Sequence, residues 1–67
     1  MEQEIGNAAG LIWHLLKEKG TSSLNDIKRE TKFTPDMINR AIGWLARESK
    51  LDFEQKGSLL LISLKPE

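Results

Sequence analysis

Cysteine is absent from the 67 residues, which excludes a disulfide, a thiol nucleophile and a zinc–thiolate site. The one histidine, His14, cannot build a metal cluster alone. Net charge is absent too: ten Lys and Arg balance ten Asp and Glu. A dedicated nucleic-acid binder normally carries a basic surplus, because phosphate neutralisation supplies most of its affinity. The balance argues against DNA as the main partner but leaves room for a local basic patch. No run is apolar and long enough to span a bilayer, and the opening Met-Glu-Gln-Glu is acidic where a signal peptide is basic. A cytoplasmic protein with no membrane partner is expected. Nor is there a Gly-rich phosphate loop, a paired-carboxylate spacing or a nucleophile elbow. The expectation is a chain that is not an enzyme and needs no cofactor or metal, with His14 structural or solvent-facing.

What remains is one domain over residues 1–67 with a marginal core. Domains this small often add disulfides, a metal or self-association. With the first two excluded, self-association is the available supplement.

Ile5, Ala8, Ile12, Leu15 and Leu16 recur at helical spacing, widened by Ala9, and predict a helix from Glu2 to Lys19. Gly20 follows as the C′ residue, and Lys17 and Lys19 suit the negative end of the dipole. Leu11 and Trp13 flank the stripe on opposite sides, more apolar surface than one core contact requires. Thr21-Ser22 reads as a one-rung strand. Ser23, with Asp26 three residues on, reads as an N-cap with a weak capping box. Leu24, Ile27 and Thr31 line the inner face of that short helix, and Phe33 plugs the turn after it. Thr34-Pro35 then supplies N-cap and N1 for a second motif helix, with Ile38, Ala41, Ile42 and Leu45 on its core face.

Beyond Ser49-Lys50 the period falls to two. Leu51, Phe53 and Gln55 alternate with Asp52 and Glu54 as a half-buried strand. Lys56-Gly57-Ser58 turns the chain, and Leu59 to Leu64 returns, ended by Lys65-Pro66-Glu67. The order predicts an α+β fold, a winged helix-turn-helix of three helices with a small antiparallel sheet made of a two-stranded wing and the short strand.

Around the second motif helix, Asp36, Arg40, Gly43 and Arg47 lie opposite the core, with Asn39 and Ala46 on one flank and Met37, Trp44 and Glu48 on the other. Arg and Asn are the right chemistry for base edges. A DNA-binding regulator would therefore use Asn39, Arg40 and Arg47, aided by the basic cluster Lys28, Arg29 and Lys32 and by Lys56 at the wing. Asp36 weakens that reading, since it stands one turn from Arg40 and would repel phosphate. So does Glu30, which sits inside the basic cluster.

Gly43 and Trp44 point elsewhere. A mid-helix glycine costs about 1 kcal/mol relative to alanine and usually admits something close. Trp44 either finishes the small core or anchors an interface, where tryptophan is enriched. On the last strand Leu60, Ile62 and Leu64 are expected to face the core, leaving Leu59 and Leu61 to be covered by the first helix or by another copy. Leu11, Trp13, Gly43, Trp44, Leu59 and Leu61 are thus the candidate homodimer interface.

The run Ala41-Ile-Gly-Trp-Leu-Ala-Arg-Glu48, preceded by Ile5-Gly-Asn-Ala-Ala-Gly-Leu-Ile-Trp13, resembles a small family of stand-alone winged-helix proteins from bacteria and archaea. That family is a domain of unknown function, and the resemblance covers nearly the whole chain. It implies the winged-helix fold and homodimers paired through the motif, with no catalytic residue or ligand to carry over. Lys28 departs from the alanine common in helix-turn-helix sequences, and Lys32 from the glycine that usually makes the turn, at some backbone cost. The functional expectation is a non-enzymatic homodimeric module with an interaction or regulatory role, with an unidentified protein partner besides itself left open. The alternative is the DNA-binding regulator.

Overall fold

The computed structural model describes residues 2–66, with side chains from 4 to 66. Met1, the side chains of Glu2 and Gln3, and Glu67 of the terminal Lys-Pro-Glu lie outside the described residues. Six elements follow in order: α1 (Glu2–Lys19), β1 (Ser22–Ser23), α2 (Leu24–Thr31), α3 (Pro35–Arg47), β2 (Leu51–Lys56) and β3 (Leu59–Leu64). The sheet is antiparallel in the order β1-β3-β2, so the last strand is central and β2 is an edge. Helix, short strand, two motif helices and a hairpin wing make a winged helix-turn-helix.

Local chemistry sets the boundaries. The Ser23 Oγ accepts from the Asp26 N–H at 3.2 Å, while the Asp26 carboxylate accepts from the Ser23 N–H at 3.1 Å, a complete capping box. Lys32 takes the left-handed conformation (φ 60) and donates its N–H to the Lys28 carbonyl at 2.8 Å. The motif turn thus forms without its usual glycine, at the backbone cost expected of a lysine there. Thr31 Oγ1 donates to the Ile27 carbonyl at 2.7 Å and accepts from the Phe33 N–H at 3.2 Å, fixing the same turn. Thr34 Oγ1 accepts from the Met37 N–H, with Pro35 at N1 of α3.

The Asp26 carboxyl is held below its ordinary 3.8, first by the Ser23 backbone N–H, then by the Ser23 hydroxyl and Arg29. The lowered value means the Asp26 carboxylate's share of the cap is complete above the ordinary carboxylate range and is lost as pH falls through the folded-state value, whereas the bond from the Asp26 N–H to the Ser23 hydroxyl does not titrate. Ser23→Ala removes the hydroxyl acceptor and is expected to cost about 1 kcal/mol. Urea melts at neutral pH check this, and the gap between wild type and variant should narrow only in part in acid.

The core joins every layer. Ile12 from α1, Ile27 from α2 and Ile62 from β3 are completely enclosed, with Ala8, Ala9, Leu16, Ile38, Ala41, Leu45 and Leu51 buried around them. Among the described residues no buried polar side-chain atom lacks a hydrogen-bond partner.

Several expectations need correction. The short strand is Ser22–Ser23, one residue later than Thr21-Ser22, because Ser23 is extended (φ −86, ψ 168) and serves both as N-cap and as the partner of Leu61. Lys56 belongs to β2, and Gly57-Ser58 alone makes the wing turn, with Gly57 at φ 61. Phe53 stands opposite Ile62 on the core-facing side, yet it is 48% exposed, and Gln55 is exposed as well. The helices pack over the central β3, so only Leu51 of the edge strand is buried. Leu60 is half-buried where a core position was expected. Leu61 is half-buried rather than open, since it pairs with Ser23 of β1 on one side and Glu54 on the other. Trp13 also packs partly against the core.

Candidate functional site

The α1 and α3 helices pack along each other, and their shared edge opens into a cleft of about 350 Å³. Gly6, Gly10 and His14 of α1, one turn apart in sequence, form one side; Trp44 and Glu48 of α3 form the other, and Trp13 lies at the end. Trp44 is 39% exposed, so its indole leaves apolar surface uncovered by its own chain. His14 meets Trp13 edge-on at 5.2 Å between ring centroids, and Lys17 Nζ lies 4.9 Å from the Trp13 ring.

The glycines are informative because nothing inside the chain calls for them. A Cβ added at Gly6, Gly10 or Gly43 would meet no atom within 4 Å. Each sits in a helix, where glycine costs about 1 kcal/mol relative to alanine. Three such costs on α1 and α3, two of them beside a half-exposed tryptophan and the third next to it in sequence, describe surfaces that another backbone could approach closely. The spacing Gly6-x-x-x-Gly10 was the available signal for the α1 side, and reading α1 only for its apolar stripe passes over it.

The six expected interface residues fall in three places. Trp13 and Trp44 share the α1–α3 cleft, with Gly43 exposed beside Trp44. Leu11, 57% exposed, lines a separate hollow between α1 and α2 with Leu15 and Phe33. Leu59, 47% exposed, lies on the wing with half-buried Leu61.

The seven residues named for DNA contact are all exposed. Lys28 and Asn39 come together across a shallow hollow between α2 and α3, lined also by Leu24 and Pro35. Arg29 is engaged by Asp26 in an exposed ion pair. Arg40 and Arg47 share α3 with exposed Asp36, and Lys56 ends β2 at the wing turn. Their field is that of a mixed-sign surface.

For other chemistry the described residues offer little. No group of three or more His, Asp or Glu among them could hold a metal ion. No described helix is long and apolar enough to cross a membrane.

The family model for the winged helix-turn-helix domain DUF2582 matches residues 1–64. The uncharacterized protein MJ1608 of the archaeon Methanocaldococcus jannaschii is 39% identical over 64 residues, covering 92% of this chain and 91% of that protein. The solution NMR structure of protein BT2368 from Bacteroides thetaiotaomicron superposes with a TM-score of 0.86 at 34% identity, over 96% of this chain and 79% of that one.

Proposed function

This chain belongs to the DUF2582 family of winged helix-turn-helix domains, and from that premise we propose that it acts without catalysis, as a homodimeric module with an interaction or regulatory role. The observation that carries this reading is the set of helix glycines, Gly6, Gly10 and Gly43, whose Cβ positions are empty around the half-exposed Trp44. A two-fold pair sets one patch against its own copy, so a glycine-lined helix face meets the same face and both backbones can approach. Trp44 from each chain then packs across the axis, where tryptophan commonly carries much of the binding energy. A 67-residue domain without cysteine gains what its own core supplies least, additional buried apolar surface.

Sedimentation equilibrium over a concentration series tests the pairing. A dimer that dissociates on dilution is expected; a monomer at high micromolar concentration sinks the reading and returns Trp44 to the edge of the core.

The DNA-binding reading competes for the same helix, because a dimer through Gly43 and Trp44 covers part of the surface that presents Arg40 and Arg47. Exposure of Asn39 and Lys28 around one hollow is what favours it. With Asp26, Glu30 and Asp36 interspersed, titration against random duplex at low salt is expected to show no binding. Binding that weakens steeply as salt rises would reveal counterion release and reverse the order of the two readings.

A further inference from the structure

We infer that a second site, next to the pairing cleft and sharing Trp13 and Lys50 with it, lies where the last turn of α1 meets the α3–β2 connection and the end of β3: a pocket for a small organic anion, a carboxylate carried on a planar apolar body. The cavity measures about 330 Å³, within the range of small-ligand sites. Trp13, Leu64 and Pro66 give it apolar walls, and Ser49 adds a hydroxyl. Its cations are Lys17, Lys50 and Lys65, one from each converging segment, and no acidic residue is among the described residues that line it. In a chain whose charges balance ten to ten, that segregation is a local positive field.

The sheet register makes the lysines harder to explain as ordinary surface charge. Leu51 pairs with Leu64, and one step further the Lys65 N–H donates to the Lys50 carbonyl at 2.9 Å. The two lysines therefore stand opposite each other across the ladder, where like charges are destabilising. The helix dipole accounts for Lys17 in the last turn of α1, while Lys50 lies beyond the C-cap of α3. It does not account for Lys65, which follows a strand. An anion between the three removes the repulsion and gains charge-assisted hydrogen bonds.

Ser49 fits the same picture. It occupies the left-handed C′ position of α3 (φ 57), with its N–H bonded to Ala46 and the Lys50 N–H bonded to Leu45. Glycine is the usual and less strained residue there. Serine closes the helix at some backbone cost and places its side chain on the pocket. Lys17 over the indole holds a cation at the edge of the apolar wall, so that a carboxylate and its planar body meet complementary partners together.

The test is a titration of the full chain with benzoate, benzamide and inorganic phosphate, followed by amide and indole signals in proton–nitrogen spectra. Benzoate is expected to shift Trp13, Ser49, Lys50 and Lys65 saturably, with benzamide and phosphate each weaker by about tenfold or more. Lys65→Glu turns the like-charged pair into an opposite-charged one, so it should fold at least as well as wild type while losing benzoate binding by about tenfold or more. Lys50→Gln should lose binding similarly without introducing a negative charge. No saturable benzoate shift overturns the site. Equal binding of phosphate reduces it to counter-ion attraction and overturns the apolar half of the claim, and equal binding of benzamide overturns the role of charge. Unchanged affinity in both lysine variants overturns it as well.

Discussion

Ile12→Ala is expected to cost between about 2 and 5 kcal/mol, the range for emptying a fully enclosed aliphatic site. Ile12 has no exposed surface, and its helix packs mainly on α3 but also on α2 and β3, so refilling the space would require more than one element to shift. The loss matters because the reserve is small: 67 residues at typical specific stability give about 3 to 10 kcal/mol in total. The variant should therefore keep only a fraction of the wild-type reserve. Urea unfolding at one fixed protein concentration measures it, since a self-associating chain gains apparent stability with concentration. The midpoint should fall with little change in slope. A loss under about 1 kcal/mol would mean that the site collapses freely and that α1 is not the keystone its burial implies.

That core was legible in the sequence because its signals are local and periodic. The stripe through Ala8, Ile12 and Leu16 fixes one face of α1, Gly20 ends the helix, and Ser23 and Thr34-Pro35 start the next two. Each of these is decided within four residues by hydrogen-bond geometry, and tertiary packing does not override it. Even the turn without glycine could be read, since capped helices on either side leave Lys32 no other conformation.

The failures share a different cause. Alternation correctly puts Phe53 on the inner side of β2, opposite Ile62, but whether anything covers that side depends on where the helices lie along the sheet. The half-burial of Leu61 depends on β1, a two-residue strand whose register is set thirty-eight positions earlier in the chain (61 − 23). The Gly6-x-x-x-Gly10 spacing is visible in the sequence, but that it lies beside Trp44 appears only when α3 packs along α1. In the same way Lys17, Lys50 and Lys65 are unremarkable in sequence and become neighbours only when a helix end, a connection and a strand end converge.

Gly43 offers the sharpest experiment on function, because its effects on the monomer and on the pair have opposite signs. In the isolated chain a Cβ at this position meets nothing within 4 Å, so Gly43→Ala should stabilise the helix by up to about 1 kcal/mol. In a two-fold pair with Gly43 near the axis, the same methyl meets its own copy, and a bulkier side chain holds the helices apart. Gly43→Leu should accordingly sediment as a monomer at concentrations where wild type is paired. Its core of Ile38, Ala41 and Leu45 lies on the opposite side of α3 and should stay folded. Trp44→Ala should weaken association by roughly 2 kcal/mol or more, about thirtyfold in the dissociation constant, if the indole is the anchor. Sedimentation of the two variants beside wild type, with circular dichroism to confirm the fold, gives the answer. If wild type pairs and Gly43→Leu still pairs, the motif helix is not the interface. The association would then have to run through Leu59 and Leu61 on the wing, leaving α3 with its Asn39, Arg40 and Arg47 open to a nucleic acid.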